Sequence, residues 1–156
     1  MDLFAHIIWT SIILYSVDNI SLAILFGILP DIIAFGPNFV SAIFTKGFAG
    51  LKINSAKEFV DNLPPYVLTL YNVTHSLLIF GIVFGAAWLV SGPPVYMLGW
   101  LLHIVFDIPT HSRKIFPVRF LYPLSEYAFP GVSWNTRWLM MANWGSIAAL
   151  LLINAH

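Results

Sequence analysis

The sequence has 156 residues, of which 59% are hydrophobic and only 9% are charged. An ordinary soluble domain is about 25% charged, so we expect this chain to form a single integral membrane domain over residues 1–156, surrounded mainly by lipid. Its seven basic and seven acidic residues cancel, which argues against nucleic-acid binding, and the lack of cysteine excludes disulfides and thiolate metal sites.

The first third of the sequence contains short apolar runs separated by polar or helix-breaking residues. Residues 3–15 and 20–29 form the first two runs, and the second ends at Pro30-Asp31. A complete crossing of a bilayer needs about 20 residues. We therefore expect a tilted or thin-membrane hairpin, or a helical pair partly buried in protein, with Asp31 just past the end of the second helix. A further apolar stretch, residues 32–44, is interrupted at Gly36-Pro37.

The rest of the chain alternates between polar loops and apolar helices. Residues 46–72 predict a loop with one amphipathic surface helix, interrupted by Pro64-Pro65. Residues 74–90 and 95–111 predict two transmembrane helices joined by a tight turn, and a second polar loop precedes a last helix over 138–153. The whole pattern predicts an all-α fold, a polytopic membrane bundle of about five helices.

The basic residues predict the orientation of this bundle. All seven lie in two loops, residues 46–57 and 113–137. A hairpin of the two central helices places both loops on one side, and the positive-inside rule makes that side cytoplasmic. We therefore expect an integral protein of the plasma (inner) membrane.

Six ionisable residues interrupt the otherwise apolar helices, and the predicted orientation brings all six toward the cytoplasmic face. Each such group costs roughly 2.5–3.5 kcal/mol inside a membrane, so a shared function is expected. Taken singly, His6 could be an interhelical hydrogen-bonding group and Asp31 a cap or turn residue. Taken together, the six predict a metal site: His6, Asp31, His75, His103, Asp107 and His111.

Three of these residues are spaced four apart, at His103, Asp107 and His111, and therefore form one stripe on a helix. Histidine and aspartate at this spacing can share a metal. The ends of the stripe are about 12 Å apart on a regular helix, too far for one ion. Either Asp107 bridges two metals, or Pro109 unwinds the last turn and lets His111 fold back. Imidazole and carboxylate ligands favour zinc, with manganese or iron as alternatives.

Three short motifs resemble the family of membrane-bound metal-dependent hydrolases. They are Leu29-Pro30-Asp31, Thr74-His75-Ser76-Leu77-Leu78 and His103-x-x-x-Asp107-x-x-Thr110-His111-Ser112. The likeness covers most of the chain, from about His6 to residues 122–126. That family is regarded as distantly similar to zinc-dependent phospholipase C and to the fungal single-strand zinc nucleases.

The resemblance implies a first metal held by Asp31, His75, His103 and Asp107. Asp107 would bridge to a second metal that also takes His6 and His111. The soluble zinc enzymes additionally use their mature N-terminal amine and a later His-x-x-x-Glu pair. Here Met1 lies five residues before His6 and the sequence contains no such pair, which favours one or two ions over three.

The predicted function is a metal-dependent hydrolase that cleaves a phosphoester of a membrane phospholipid or lipid-linked substrate at the cytoplasmic interface. Asp31 or Asp107 could position the attacking hydroxide, and Glu126 is a candidate general acid or further ligand. Four basic residues of the second loop could hold an anionic head group, or could only anchor the loop at the anionic leaflet. They are Arg113, Lys114, Arg119 and Arg137.

Two other functions would use the same residues. A divalent-metal-binding transporter or sensor needs no hydrolysis, but the ligands cluster at one face and do not line a path through the midplane. Haem could be held by His75 and His103, although the neighbouring Asp31 and Asp107 favour a hard cation.

Overall fold

The computed structural model describes residues 1–47 and 56–154, and these residues form an all-helical fold, as predicted. A short 3₁₀ turn over Val95–Met97 leads into the sixth of seven α-helices. The described residues thus form seven α-helices, more than the about five that the sequence predicted. The helices are α1 (Leu3–Ile13), α2 (Ile20–Lys46), α3 (Ala56–Asp61), α4 (Pro65–Thr74), α5 (Leu77–Ser91), α6 (Leu98–Thr110) and α7 (Arg137–Asn154).

Helix α2 differs most from the sequence prediction. Asn19 caps its start, because the side-chain oxygen accepts a hydrogen bond from the Leu22 amide at 3.1 Å. The helix then continues through Pro30 and Pro37, so the predicted end at Pro30-Asp31 is wrong. Proline disfavours a helix interior, but α2 packs against α1, α4 and α6, and this tertiary packing outweighs the local preference. Asp31 consequently lies within the helix and faces the interior of the fold.

The predicted helix over residues 74–90 is broken at its start. Helices α4 and α5 are bent by 58° relative to each other, with His75 and Ser76 at the break. The Ser76 hydroxyl accepts a hydrogen bond from the Ile79 amide at 3.3 Å and donates one to the Tyr122 carbonyl at 2.5 Å. The second polar loop thereby holds the break in place.

Small residues let α1 and α6 approach α2 closely. A Cβ atom at Gly99 would overlap the main-chain carbonyl of Ala23, so α2 and α6 touch backbone to backbone. A Cβ at Gly27 would lie 2.6 Å from the Thr10 hydroxyl of α1. Gly27 thus stands where three helices meet, and the side chains of α1 and α6 that face α2 are brought within reach of one another.

Within the described residues, one helix is long and apolar enough to cross a membrane, over Ile20–Thr45 of α2. The bent pair α4 and α5 passes the same criterion when taken together, as a broken span or a re-entrant loop. Three further apolar helices are shorter, Leu3–Ile13, Val95–Thr110 and Arg137–Ile153. Core helices of soluble proteins also meet this criterion, so the polytopic bundle stays a prediction.

Candidate metal centre

Four of the predicted side chains meet in the interior of the fold. One ligand atom from each lies within 4.8 Å of all the others, and the group could hold a metal ion. The histidines and one aspartate are almost completely buried, whereas the side chain of Asp31 is 22% exposed. The four residues are Asp31 of α2, His75 of the α4–α5 break, and His103 and Asp107 of α6.

Hydrogen bonds to the main chain orient the two central imidazoles. His75 Nδ1 lies 3.0 Å from the Tyr71 carbonyl oxygen, and His103 Nδ1 lies 2.7 Å from that of Gly27. Because a carbonyl only accepts, each Nδ1 carries the proton and each Nε2 carries a lone pair. The two Nε2 atoms are 2.9 Å apart. This is the arrangement expected of two neutral imidazoles that share a cation, with carbonyls fixing their outer nitrogens.

The two oxygens of Asp107 face different sets of side chains. Oδ2 lies 3.4 Å from the Nε2 atoms of both His75 and His103. Oδ1 lies 3.1 Å from His6 Nε2 and 3.5 Å from His111 Nδ1. A carboxylate divided in this way could bridge two cations. The bridging role that the resemblance implies for Asp107 stays a prediction, because the group that could hold an ion includes neither His6 nor His111.

His111 reaches the centre because α6 ends just before it. The helix stops at Thr110, one residue after Pro109, and His111 has an extended backbone. Its Nδ1 lies 3.1 Å from the main-chain oxygen of Asp107 as well as near the carboxylate. His111 thus contacts the carboxylate oxygen of Asp107 that does not face His75.

The α-amino group of Met1 also lies at the centre, where it donates a hydrogen bond to Asp107 Oδ1. Asp2 caps α1 by accepting from the Ala5 amide at 3.0 Å, and this cap directs Met1 back toward α6. The spacing of five residues between Met1 and His6 did not indicate this contact. The available signal was Asp2, a good N-cap residue placed directly before an apolar run.

Tyr71 is a second group that sequence reasoning missed. Its ring stacks on His75 with the centroids 3.8 Å apart, and the centroid of His111 is 6.3 Å away. The side chain is buried, and its hydroxyl has no hydrogen-bond partner within the described part of the chain. A buried hydroxyl without a partner costs about 1–3 kcal/mol. Its position four residues before His75 on a helix was the sequence signal for this contact.

The predicted head-group and general-acid residues form no ion pair with the four-residue group in the described part of the chain. Arg119 is half-buried, and the Arg113 guanidinium lies over the Tyr127 ring at 5.6 Å from its centroid. None of the five predicted residues lines the cavity beside the metal centre, so their roles stay predictions. The exposed members are Arg113, Lys114, Glu126 and Arg137.

No protein-family model, curated protein or solved structure matches this chain. The resemblance to membrane-bound metal-dependent hydrolases therefore stays a prediction.

Proposed function

We propose that this protein is a membrane-embedded metal-dependent hydrolase that cleaves a phosphoester of a lipid or lipid-linked substrate. The observation that carries the proposal is the convergence of His75 Nε2 and His103 Nε2 at 2.9 Å beside the carboxylates of Asp31 and Asp107. Two imidazoles and two carboxylates are a donor set that zinc accepts, as do manganese and iron. A divalent cation bound there would activate water and polarise a phosphoryl oxygen.

Differences in exposure separate the roles of the two aspartates. The side chain of Asp31 is 22% exposed, whereas that of Asp107 is 1% exposed. Water and substrate could therefore reach Asp31, whose Oδ1 faces His75 and His103. Its Oδ2 would accept a proton from the attacking water and return it to the leaving alcohol. Asp107 is held by His6 and His111 and acts as a fixed ligand. This division keeps one side of the centre open for chemistry, as in catalytic zinc sites.

The hydroxyl of Tyr71 supplies a hydrogen-bond donor beside the centre. A tyrosine hydroxyl keeps its proton at neutral pH, and this one has no acceptor among the described residues. A phosphoryl oxygen of a bound substrate would provide that acceptor. The donor then stabilises the negative charge that develops on this oxygen during hydrolysis.

The outer surface and the basic loops support a position at the cytoplasmic membrane face. Exposed apolar side chains such as Leu89 of α5 (90% exposed) and Ile153 of α7 (71% exposed) suit contact with lipid. The centre lies where α5 begins and α6 ends, at the same end as the loop that follows His111. The positive-inside rule assigns that basic loop to the cytoplasm, where an amphiphile presents its head group.

The test is the metal content of the purified full-length protein, measured together with phosphate release from lipid phosphoesters. The wild type is expected to hold about one or two divalent ions, and Asp107→Asn is expected to lose both metal and activity. Asp18→Asn, an exposed carboxylate between α1 and α2, is the matched control and should keep both. A folded wild-type protein that binds no divalent ion would overturn the proposal. Metal uptake by proteoliposomes without any phosphoester turnover would favour a transporter instead.

A further inference from the structure

A cavity of about 430 Å³ adjoins the metal centre. This volume lies within the range of about 300–1,000 Å³ that is usual for small-molecule sites. Asp31 and His111 form part of its wall. A molecule that fills the cavity therefore has one end beside the metal ligands.

Aromatic rings from α2, α3 and the second loop form a large part of the remaining wall. Asp31, Phe35 and Phe39 are spaced four apart and share one face of α2. The Phe59 ring of α3 lies 6.2 Å from Phe35 and 6.4 Å from Phe39, and the Phe116 ring of the second loop lies 5.8 Å from Phe35. These rings present a continuous apolar surface that extends away from Asp31.

The charges on the cavity wall favour an apolar occupant over a second charged group. Among the described residues, those that line the cavity include no lysine or arginine. Ser112, Ser133 and Asn135 are its neutral polar residues. The metal centre is accordingly the place for the anionic group, and the aromatic wall suits hydrocarbon.

Helix α2 links the cavity to an exposed apolar surface. Beyond Phe39, the same helix carries Val40 and Phe44, which are 53% and 87% exposed. This is also the helix that could span a membrane. The aromatic wall of the cavity and this exposed apolar surface thus belong to the same helix.

We propose that this cavity binds a hydrocarbon chain of the amphiphilic substrate, with the phosphoester held at the metal centre. This inference rests on the hydrolase function and adds a substrate class, a lipid with one phosphoester group. The hydrocarbon chain of this lipid would lie between α2, α3 and the second loop. Phe35, Phe39 and Phe59 are the residues that would determine how the chain fits.

Photo-crosslinking tests this proposal without relying on turnover. The probe is a long-chain alkyl phosphonate with a diazirine at its methyl end, added to the zinc-loaded full-length protein in nanodiscs. Adducts are expected on the peptides that contain Phe35, Phe39 and Phe59, and excess unlabelled hexadecyl phosphonate should remove them. Phe39→Trp should reduce their yield about tenfold, because the larger ring would occupy part of the cavity. Phe59→Trp fills the cavity from α3 and should reduce the yield of adducts to a similar extent.

Phe4→Trp is the matched control, because Phe4 lies on α1, is 69% exposed and is not part of the cavity lining. It should leave the cavity adducts unchanged. Adducts confined to outward-facing residues, or insensitive to the competitor, would overturn the proposal. Cavity adducts without phosphate release from any ester would support chain binding and overturn the hydrolase function. Phosphate release from lipid esters without cavity adducts would support the hydrolase function and overturn chain binding in the cavity.

Discussion

His75 and His103 direct their Nε2 atoms at each other across 2.9 Å, while each Nδ1 faces a main-chain carbonyl. Those carbonyls belong to Tyr71 of α4 and Gly27 of α2, so the direction of each imidazole is set by helix packing. Three helices thus contribute to the orientation of two ligands. A cation bound between them would in turn stabilise the packing of these helices.

Zinc is therefore expected to raise the unfolding temperature of the full-length protein. A ligand that binds only the folded state adds about 2.7 kcal/mol at about a hundredfold excess over its Kd. His103→Ala should lose this stabilisation, whereas Asp18→Asn should retain it. Thermal unfolding in detergent, followed by circular dichroism before and after zinc is added to chelator-treated protein, measures the effect. Equal shifts of the unfolding temperature in the wild type and in His103→Ala would contradict the assignment of His103 as a zinc ligand.

The hydroxyl of Thr74 is expected to tune the affinity for metal without itself being a ligand. It lies 3.1 Å from His75 Nδ1 and donates to the Pro30 carbonyl at 3.2 Å. Thr74→Val keeps the shape of the side chain but removes both interactions, so zinc affinity should fall about tenfold to a hundredfold. Competition with a fluorescent chelator gives the affinity. Thr69→Val, at an exposed position on the same helix, should bind zinc like the wild type.

The metal ligands could be predicted from the sequence more readily than the course of the helices. Ionisable residues in apolar segments are rare and costly, so His103 and Asp107 stand out without any structure. The continuation of α2 through Pro30 could not be predicted, because local preference ends a helix there and only packing against α4 and α6 opposes it. The break at His75 depends on a hydrogen bond from Ser76 to Tyr122, distant in sequence.

The groups that sequence reasoning missed become neighbours of the centre only through tertiary packing. Met1 reaches Asp107 across more than a hundred positions of the chain. Tyr71 is close to His75 in sequence, but it resembles any aromatic core residue until its hydroxyl is found without a partner. The signals in the sequence are Asp2 as an N-cap and the spacing of four between Tyr71 and His75, and many residues that are simply buried share them.

Gly99→Ala is expected to destabilise the protein and to weaken metal binding together. The added Cβ would overlap the Ala23 carbonyl, and relieving an overpacked contact costs about 1–3 kcal/mol. Moving α6 away from α2 would also lengthen the hydrogen bond between His103 Nδ1 and the Gly27 carbonyl, which orients this metal ligand. Gly85→Ala on α5, where a Cβ would have no neighbour within 4 Å, should instead be neutral or stabilising by up to about 1 kcal/mol. Denaturant unfolding and zinc titration measure both effects, and equal behaviour of the two variants would contradict the packing argument.

Tyr71→Phe is expected to separate catalysis from stability. Loss of a hydrogen bond that forms only to bound substrate should lower kcat at least about tenfold. Zinc content should be unchanged, because Tyr71 is not a ligand. The free energy of unfolding should stay equal or rise, since the variant removes a buried hydroxyl without a partner. Tyr66→Phe, 44% exposed on the same helix, is the control and should match the wild type in all three measurements. A Tyr71→Phe variant that retains full kcat would exclude the hydroxyl from the reaction, and one that loses zinc would assign it to the structure of the centre instead.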